Sequence, residues 1–288
     1  MALKKQTSHI RVVLRGGLGN QLFGWATAFA LSLRTNFPLE LLSHSIQTKI
    51  GQADNRSFEL DYFALTSTVP KPADRGLQNR LSGCRNSRKR EVVESSFEFD
   101  PRVLEIHEPV TLNGYFQSPL YFEDFRHEIV AFLWEKAHLD DQVTRMAEEF
   151  GREWTAVHVR RGDYERLQHV YTLPSDDYYR NGLEAVRRNS GAAKSVVFSD
   201  NVDIARKLVP GAHRYVGPSD LPRVGDSLML MAMATNIVGA NSSLSWWAAY
   251  LQPQNLGLKV FPHPWFVGDS PSAKDLVMEH WTTMAATP

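Results

Sequence analysis

The feature that most constrains this chain is the alternation of short apolar runs with helix-patterned segments after Gly151. "TAVHVR" reads as a strand, and "SDDYYRNGLEAVRRNSG" as a helix capped by Ser175 and stopped by Gly191. "KSVVFSD", "HRYVG", "NIVGA" and "LGLKVFP" read as further strands. Helices in "VDIARKLV", "DSLMLMAMAT" and "SLSWWAAYL" separate them. Such alternation predicts a parallel, doubly wound sheet with ligands at the carboxyl ends of its strands.

A second α/β pattern opens the chain. "IRVVL" is a strand, "RGGLGN" a glycine turn, "QLFGWATAFALSLRT" a helix by its apolar spacing, and "PLELLS" a strand. "VTLNGYFQS" reads as another strand. Helices follow in "YFEDFRHEIVAFLWE" and in "DDQVTRMAEEFG", the latter capped by Asp140 and Asp141 and stopped by Gly151. The expected fold class is therefore α/β, with two Rossmann-like domains, 1–150 and 151–288, facing a central cleft.

Composition narrows the function classes. Lys plus Arg and Asp plus Glu each number 32, so no global field favours nucleic acid. The single cysteine, Cys84, excludes an internal disulfide framework, and the histidines lack the spacing of a zinc hydrolase. No apolar run is long enough to span a membrane, and the basic N-terminus lacks a signal-peptide pattern, so a cytoplasmic protein is expected. The segment Thr66–Ser96 is polar and basic. It reads as a solvated excursion; sharper readings are an acceptor-side lid or a peripheral contact with anionic lipid at the inner membrane.

Several stretches carry chemistry. "HVRRGDY" places Arg160 and Arg161 side by side at a strand end. Strand alternation puts His158 and Arg160 on one face and Arg161 on the other. Arginine suits phosphate because its planar fork donates two parallel hydrogen bonds. Asp163 is placed to pair with either arginine, and a purely structural arginine–aspartate cluster is the competing reading. In "GANSSLSWW" a strand runs through Asn241, Ser242 and Ser243 into a helix, whose first N–H groups are unpaired and favour an anion; plain N-capping is the alternative. "RGGLGNQLF" fits neither the dinucleotide fingerprint nor the P-loop, although Gly17 and Gly19 permit close approach and Asn20 and Gln21 are polar groups at a helix start. Asp200 ends a strand in "FSDN". Asp226 is placed either to cap a helix or to read the N1–H and amine of guanine.

"GGLGNQLF", "HVRRGDY", "FSDN" and "ANSSLSWWAA" occur in an order that resembles the bacterial α-1,2-fucosyltransferases of glycosyltransferase family 11. "FELDYF" and "GYFQSPLYF" resemble that family's connecting segments, so the resemblance covers nearly the whole chain. It implies a GT-B architecture and inverting transfer of L-fucose from GDP-β-L-fucose to the 2-hydroxyl of a galactose-terminated acceptor such as lactose. It also implies no metal and no cofactor, GDP-fucose being a co-substrate; the chain has no Asp-x-Asp pair of the metal-dependent type. By resemblance Arg160 binds the β-phosphate beside Ser242 and Ser243, Asp226 reads guanine with backbone help at His158, and Asn20 sits near the anomeric carbon. Arg160, Asp163 and Asn20 are thus the catalytic candidates. His158, Arg160, Arg161, Asp200, Asp226, Asn241, Ser242, Ser243, Gly17, Gly19 and Gln21 are the donor-binding candidates. The rival readings are another sugar nucleotide or linkage, such as α-1,3, and a non-catalytic GDP- or glycan-binding protein.

Overall fold

The computed structural model describes residues 9–43, 57–67, 90–191, 194–268 and 271–287. Most of the basic Thr66–Ser96 segment and Cys84 lie outside the described residues. The chain divides into two compact units, Met1–Lys136 and Ala137–Pro288.

The first unit is built on a four-stranded parallel sheet. Its strands are β1 (Ile10–Val13), β2 (Leu39–Leu42), β3 (Arg90–Val93) and β4 (Val110–Asn113), in the order β2-β1-β4-β3. Helix α1 (Leu18–Thr35) crosses from β1 to β2 and is buried along most of its length. Its packing needs Gly24, where a Cβ would lie 3.3 Å from Val12 Cγ2. Strand β3 was not expected: Arg90 to Val93 continue a basic stretch that reads as solvated surface. They pair only with β4, as an edge strand, and expose Val93 (63%), so apolar burial left little pattern to read. Helix α2 (Arg126–Lys136) closes the unit.

Helix α3 (Asp141–Phe150) belongs to the second unit, although the sequence reading ends the first domain at residue 150. Its buried face, Val143, Met146 and Phe150, turns inward, and Phe150 meets Trp154 edge-on. Asp140 caps it by accepting the Gln142 N–H, as expected.

The second unit carries a six-stranded, all-parallel sheet. Between its strands run β5 (Trp154–Val159), α4 (Asp176–Ser190), β6 (Lys194–Ser199), α5 (Val202–Leu208), β7 (Arg214–Val216), α6 (Val224–Ala232), β8 (Asn236–Val238), α7 (Ser243–Leu251), β9 (Lys259–His263) and β10 (Thr282–Ala285). The order is β10-β9-β8-β5-β6-β7. Winding proceeds outward from β5 through β6 and β7, then restarts at β8 in the other direction. The expected alternation is present, with Ser175 capping α4 and Gly191 left-handed after it. The added edge strand β10 was missed; it alternates exposed and half-buried residues. One face of the sheet packs Val157, Val159, Val197 and Val238 against Tyr178, Tyr179 and Val186 of α4. Gly182 makes this possible, since a Cβ there would press on Val238; outside this cluster, a Cβ on Gly239 would strike the Phe261 ring at 2.3 Å. No helix among the described residues is long and apolar enough to cross a membrane.

Gln21 shows how the glycine turn is held. Fully buried, it donates to the Gly16 and Ser57 carbonyls (2.9 and 3.0 Å) and accepts the Glu59 N–H (3.0 Å). Gln21→Leu would leave three backbone groups unsatisfied. Each costs roughly 1–3 kcal/mol, so the first unit should lose about 3 kcal/mol or more, read as a drop in its urea midpoint.

Candidate active site

The reversal of strand order falls between β5 and β8, and ligands of open α/β sheets bind outside the carboxyl ends at such a switch point. Register fixes what is gathered there. Val157 pairs with Val238 and His158 with Phe198. Beyond the last pairs, "RRGD" leaves β5, "GANSS" leaves β8 and Asp200 leaves β6. Three stretches distant in sequence therefore share one edge.

Strand alternation separates the two arginines as expected. Val157 and Val159 face the α4 core, and Arg161 follows them inward, 8% exposed, donating to the Pro174 carbonyl. Arg160 points the other way. The expected partner of Arg161 was a carboxylate, yet the acid goes to its neighbour: Arg160 Nη1 lies 2.9 Å from Asp200 Oδ2, both side chains 22% exposed. Asp200 Oδ1 accepts the Arg161 N–H (3.0 Å), so one carboxylate fixes both the backbone and the guanidinium. Gly162 is required beside it, since a Cβ there would lie 2.5 Å from Asp200 Oδ2. The side chain of Asp163 lies outside the described residues.

Arg160 has a second support that sequence reasoning missed. Its guanidinium lies over the Tyr164 ring (5.4 Å), Tyr164 stacks on Tyr171 (4.3 Å, 14°), and Tyr171 meets Phe266 (5.4 Å). Tyr164 stands within the motif, but its partners follow 7 and 102 residues later without periodic signal.

His158 is 4% exposed, and its Nδ1 has no hydrogen-bond partner. Burial first, and the Arg160 charge second, push its pKa down to about 4 against the opposing charge of Asp200. It is therefore neutral at pH 7.

The serine turn combines capping with an anion-favouring end. Ser242 Oγ accepts the Leu244 N–H (3.3 Å) as N-cap of α7, and Ser245 Oγ bonds the Ala240 N–H and carbonyl (both 3.2 Å). Ser243, half-buried, opens the helix. Asn241 Nδ2 donates to the Thr172 and Trp265 carbonyls, tying two loops to the turn, while its buried Oδ1 has no hydrogen-bond partner among the described residues.

Asp226 does not cap α6. The N-cap is Arg223, which forks onto the buried Asp226 carboxylate through Nε–Oδ2 (2.9 Å) and Nη2–Oδ1 (3.0 Å). Both carboxylate oxygens are thus engaged by a half-exposed guanidinium.

In the first unit, Gly16 takes the left-handed conformation (φ +65), whereas Gly17 is the extended N-cap of α1 and Gly19 is buried in its first turn. Asn20 Oδ1 accepts from Gln117 (2.7 Å) and Gln21 is consumed as described above. The Leu18 N–H at the start of α1 donates to Glu59. Arg15, after β1, reaches Asn113 at the end of β4 (2.6 Å).

Residues 95–285 match the family model described as Glycosyl transferase family 11. The chain belongs to this family. It is 27% identical to the O-antigen biosynthesis glycosyltransferase WbnK of Escherichia coli, over 94% of this chain and 99% of that protein. It is 26% identical to an α-1,2-colitosyltransferase of Escherichia coli, over 93% and 96%. It is 22% identical to the galactoside 2-α-L-fucosyltransferase SEC1 of Bos taurus, over 82% of this chain and 62% of that one. This family 11 glycosyltransferase is thus related to enzymes that make α-1,2 linkages.

His158 should make family 11 stability depend on pH in a set direction. The unfolded chain takes up this proton near pH 6.5, the folded one only near pH 4. The contribution is full above pH 6.5 and is lost as pH falls toward 4, because the unfolded state binds more protons there. Urea midpoints at pH 7.5 and 4.5 should differ more for the wild type than for His158→Phe.

Proposed function

We propose that this protein transfers L-fucose from GDP-β-L-fucose to the 2-hydroxyl of a terminal galactoside, with inversion and without a metal ion. The observation that carries the reading is the meeting of Arg160, held by Asp200 and Tyr164, with the α7 N-terminus at the switch point of a parallel sheet. A guanidinium, serine hydroxyls and a helix start suit a diphosphate.

In this reading the acceptor oxygen forms a bond to fucose C1 as the C1–O bond to GDP breaks. The acceptor gives up its hydroxyl proton, and charge accumulates on the departing β-phosphate oxygen. Arg160 and the α7 N-terminus oppose that charge, so they stabilise the transition state more than the bound substrate. Ser242 and Ser243 add hydroxyl donors, and Asp200 holds Arg160 in place. Asp226 remains the guanine-reading candidate by resemblance, and its pair with Arg223 would have to open or be shared. Asn20 stays the candidate nearest the anomeric carbon and Asp163 a catalytic one.

Similarity to the colitosyltransferase favours a second reading, in which the donor carries colitose. A donor panel separates the two.

The test uses GDP-fucose and lactose in EDTA, with GDP release and trisaccharide followed by mass. Wild type should form trisaccharide with an α-1,2 linkage, and Arg160→Ala should lose about a hundredfold or more in kcat. No trisaccharide from wild type would overturn the reading for this donor and acceptor. The aromatic support gives a finer check. Tyr164→Phe should retain activity and Tyr164→Leu should lose roughly two- to fivefold in kcat/KM, the size of a partly exposed cation–π contact.

A further inference from the structure

The first unit half-buries an acid, Glu94, that no ion pair neutralises among the described residues. Glu94 follows β3 at the carboxyl edge of the sheet. Its Oε2 accepts the Tyr115 N–H (2.6 Å) and its Oε1 the Phe116 N–H (2.8 Å). The chain bends to bring it there: Phe116 is left-handed (φ +51), and a Cβ on Gly114 would lie 2.3 Å from Glu94 Cβ. Desolvation outweighs the two hydrogen bonds and the Arg15 charge, and raises its pKa above 4.5. Arg15 itself is engaged by Asn113. A half-buried carboxylate whose desolvation outweighs its hydrogen bonds, standing at a cavity wall, marks a functional candidate. Two of its roughly four lone-pair sites remain for a ligand.

Glu94 lines a cavity of about 280 Å³. The buried Phe116, Tyr121, Val103 and Ile106 are among its lining residues, with Glu91, Glu98 and Asp100. The size lies just below the usual range of small-molecule pockets, roughly 300–1,000 Å³, and suits one sugar ring better than a nucleotide. Charge points the same way. Glu91, Glu94, Glu98 and Asp100 face Arg90 and Arg102, four acids against two bases, leaving two negative charges in excess. Arg102 forks onto Asp100, and Arg90 pairs with Glu108. Such a lining repels phosphate. Hydroxyl donors are what its carboxylates can accept.

We propose that this cavity holds one neutral sugar ring of the acceptor, with Glu94 accepting a hydrogen bond from a ring hydroxyl. The proposal rests on the glycosyltransferase reading only for the need of a hydroxyl-bearing acceptor. The test is saturation-transfer NMR with lactose on wild type, Glu94→Gln and Ser96→Trp, beside calorimetric titration with GDP. Ser96 is exposed on the cavity lining, so a tryptophan there blocks the opening without touching the Glu94 contacts. Lactose should receive saturation from wild type. Its affinity should fall about tenfold or more in both variants, the size of one lost hydrogen bond to a charged group, while GDP affinity stays within about twofold. Lactose saturation that is absent in wild type, or equal in all three proteins, overturns the proposal. If GDP binds wild type in that case, the subsite alone falls; if GDP also fails to bind, the donor reading falls with it.

Discussion

Between β5 and β8 the sheet of the second unit reverses its winding, so no crossover helix covers the carboxyl ends of those strands. The other features of the site follow from this opening. β5 ends in arginines and β8 runs into serines and a helix N-terminus. The neighbouring β6 supplies Asp200 one residue past its last pair. Core packing holds the register: Val157, Val159, Val197 and Val238 lie in one cluster with α4, and slipping β5 by one residue would turn Val157 and Val159 to the other face. Stability in the core and placement at the rim are thus set by the same residues.

The electrostatics resolve the crowding of two guanidinium groups. Arg160 and Arg161 diverge because adjacent strand residues face opposite ways. Asp200 then lies between the Arg161 backbone and the Arg160 side chain, which lowers repulsion and orients Arg160. His158 shares the face of Arg160 and stays neutral, so it adds no third positive charge. A guanidinium offers five donors in a fixed fork, so pairing with one carboxylate does not exhaust its geometry.

Most of the second unit was legible in the sequence, because its strands are apolar runs divided by capped helices. Ser175, Gly191 and Asp140 stand where their side chains and backbone freedom predict. What escaped was non-local or weakly patterned. Strand β3 is a half-polar edge, β10 another, and neither buries a full face. Asp200 escaped as a partner of the arginine stretch because pairing across β5 and β6 depends on register, 39 residues apart, which spacing along the chain does not reveal. Asp226 looked like a cap, but Arg223 three residues earlier claims its carboxylate through one helical turn. Glu94 was hidden in a stretch whose basic composition suggested only solvation.

The two glycine- and serine-rich turns look alike as sequence, yet they are not equivalent as anion sites. At α1 the first helical N–H donates to Glu59, a carboxylate of the protein itself. That acid already complements the positive end of the helix, and a phosphate arriving there would have to displace it or accept its repulsion. At α7 the cap is Ser242, a neutral hydroxyl that accepts the Leu244 N–H. An external anion therefore meets a resistance at the first turn that the neutral serine cap of the second does not offer.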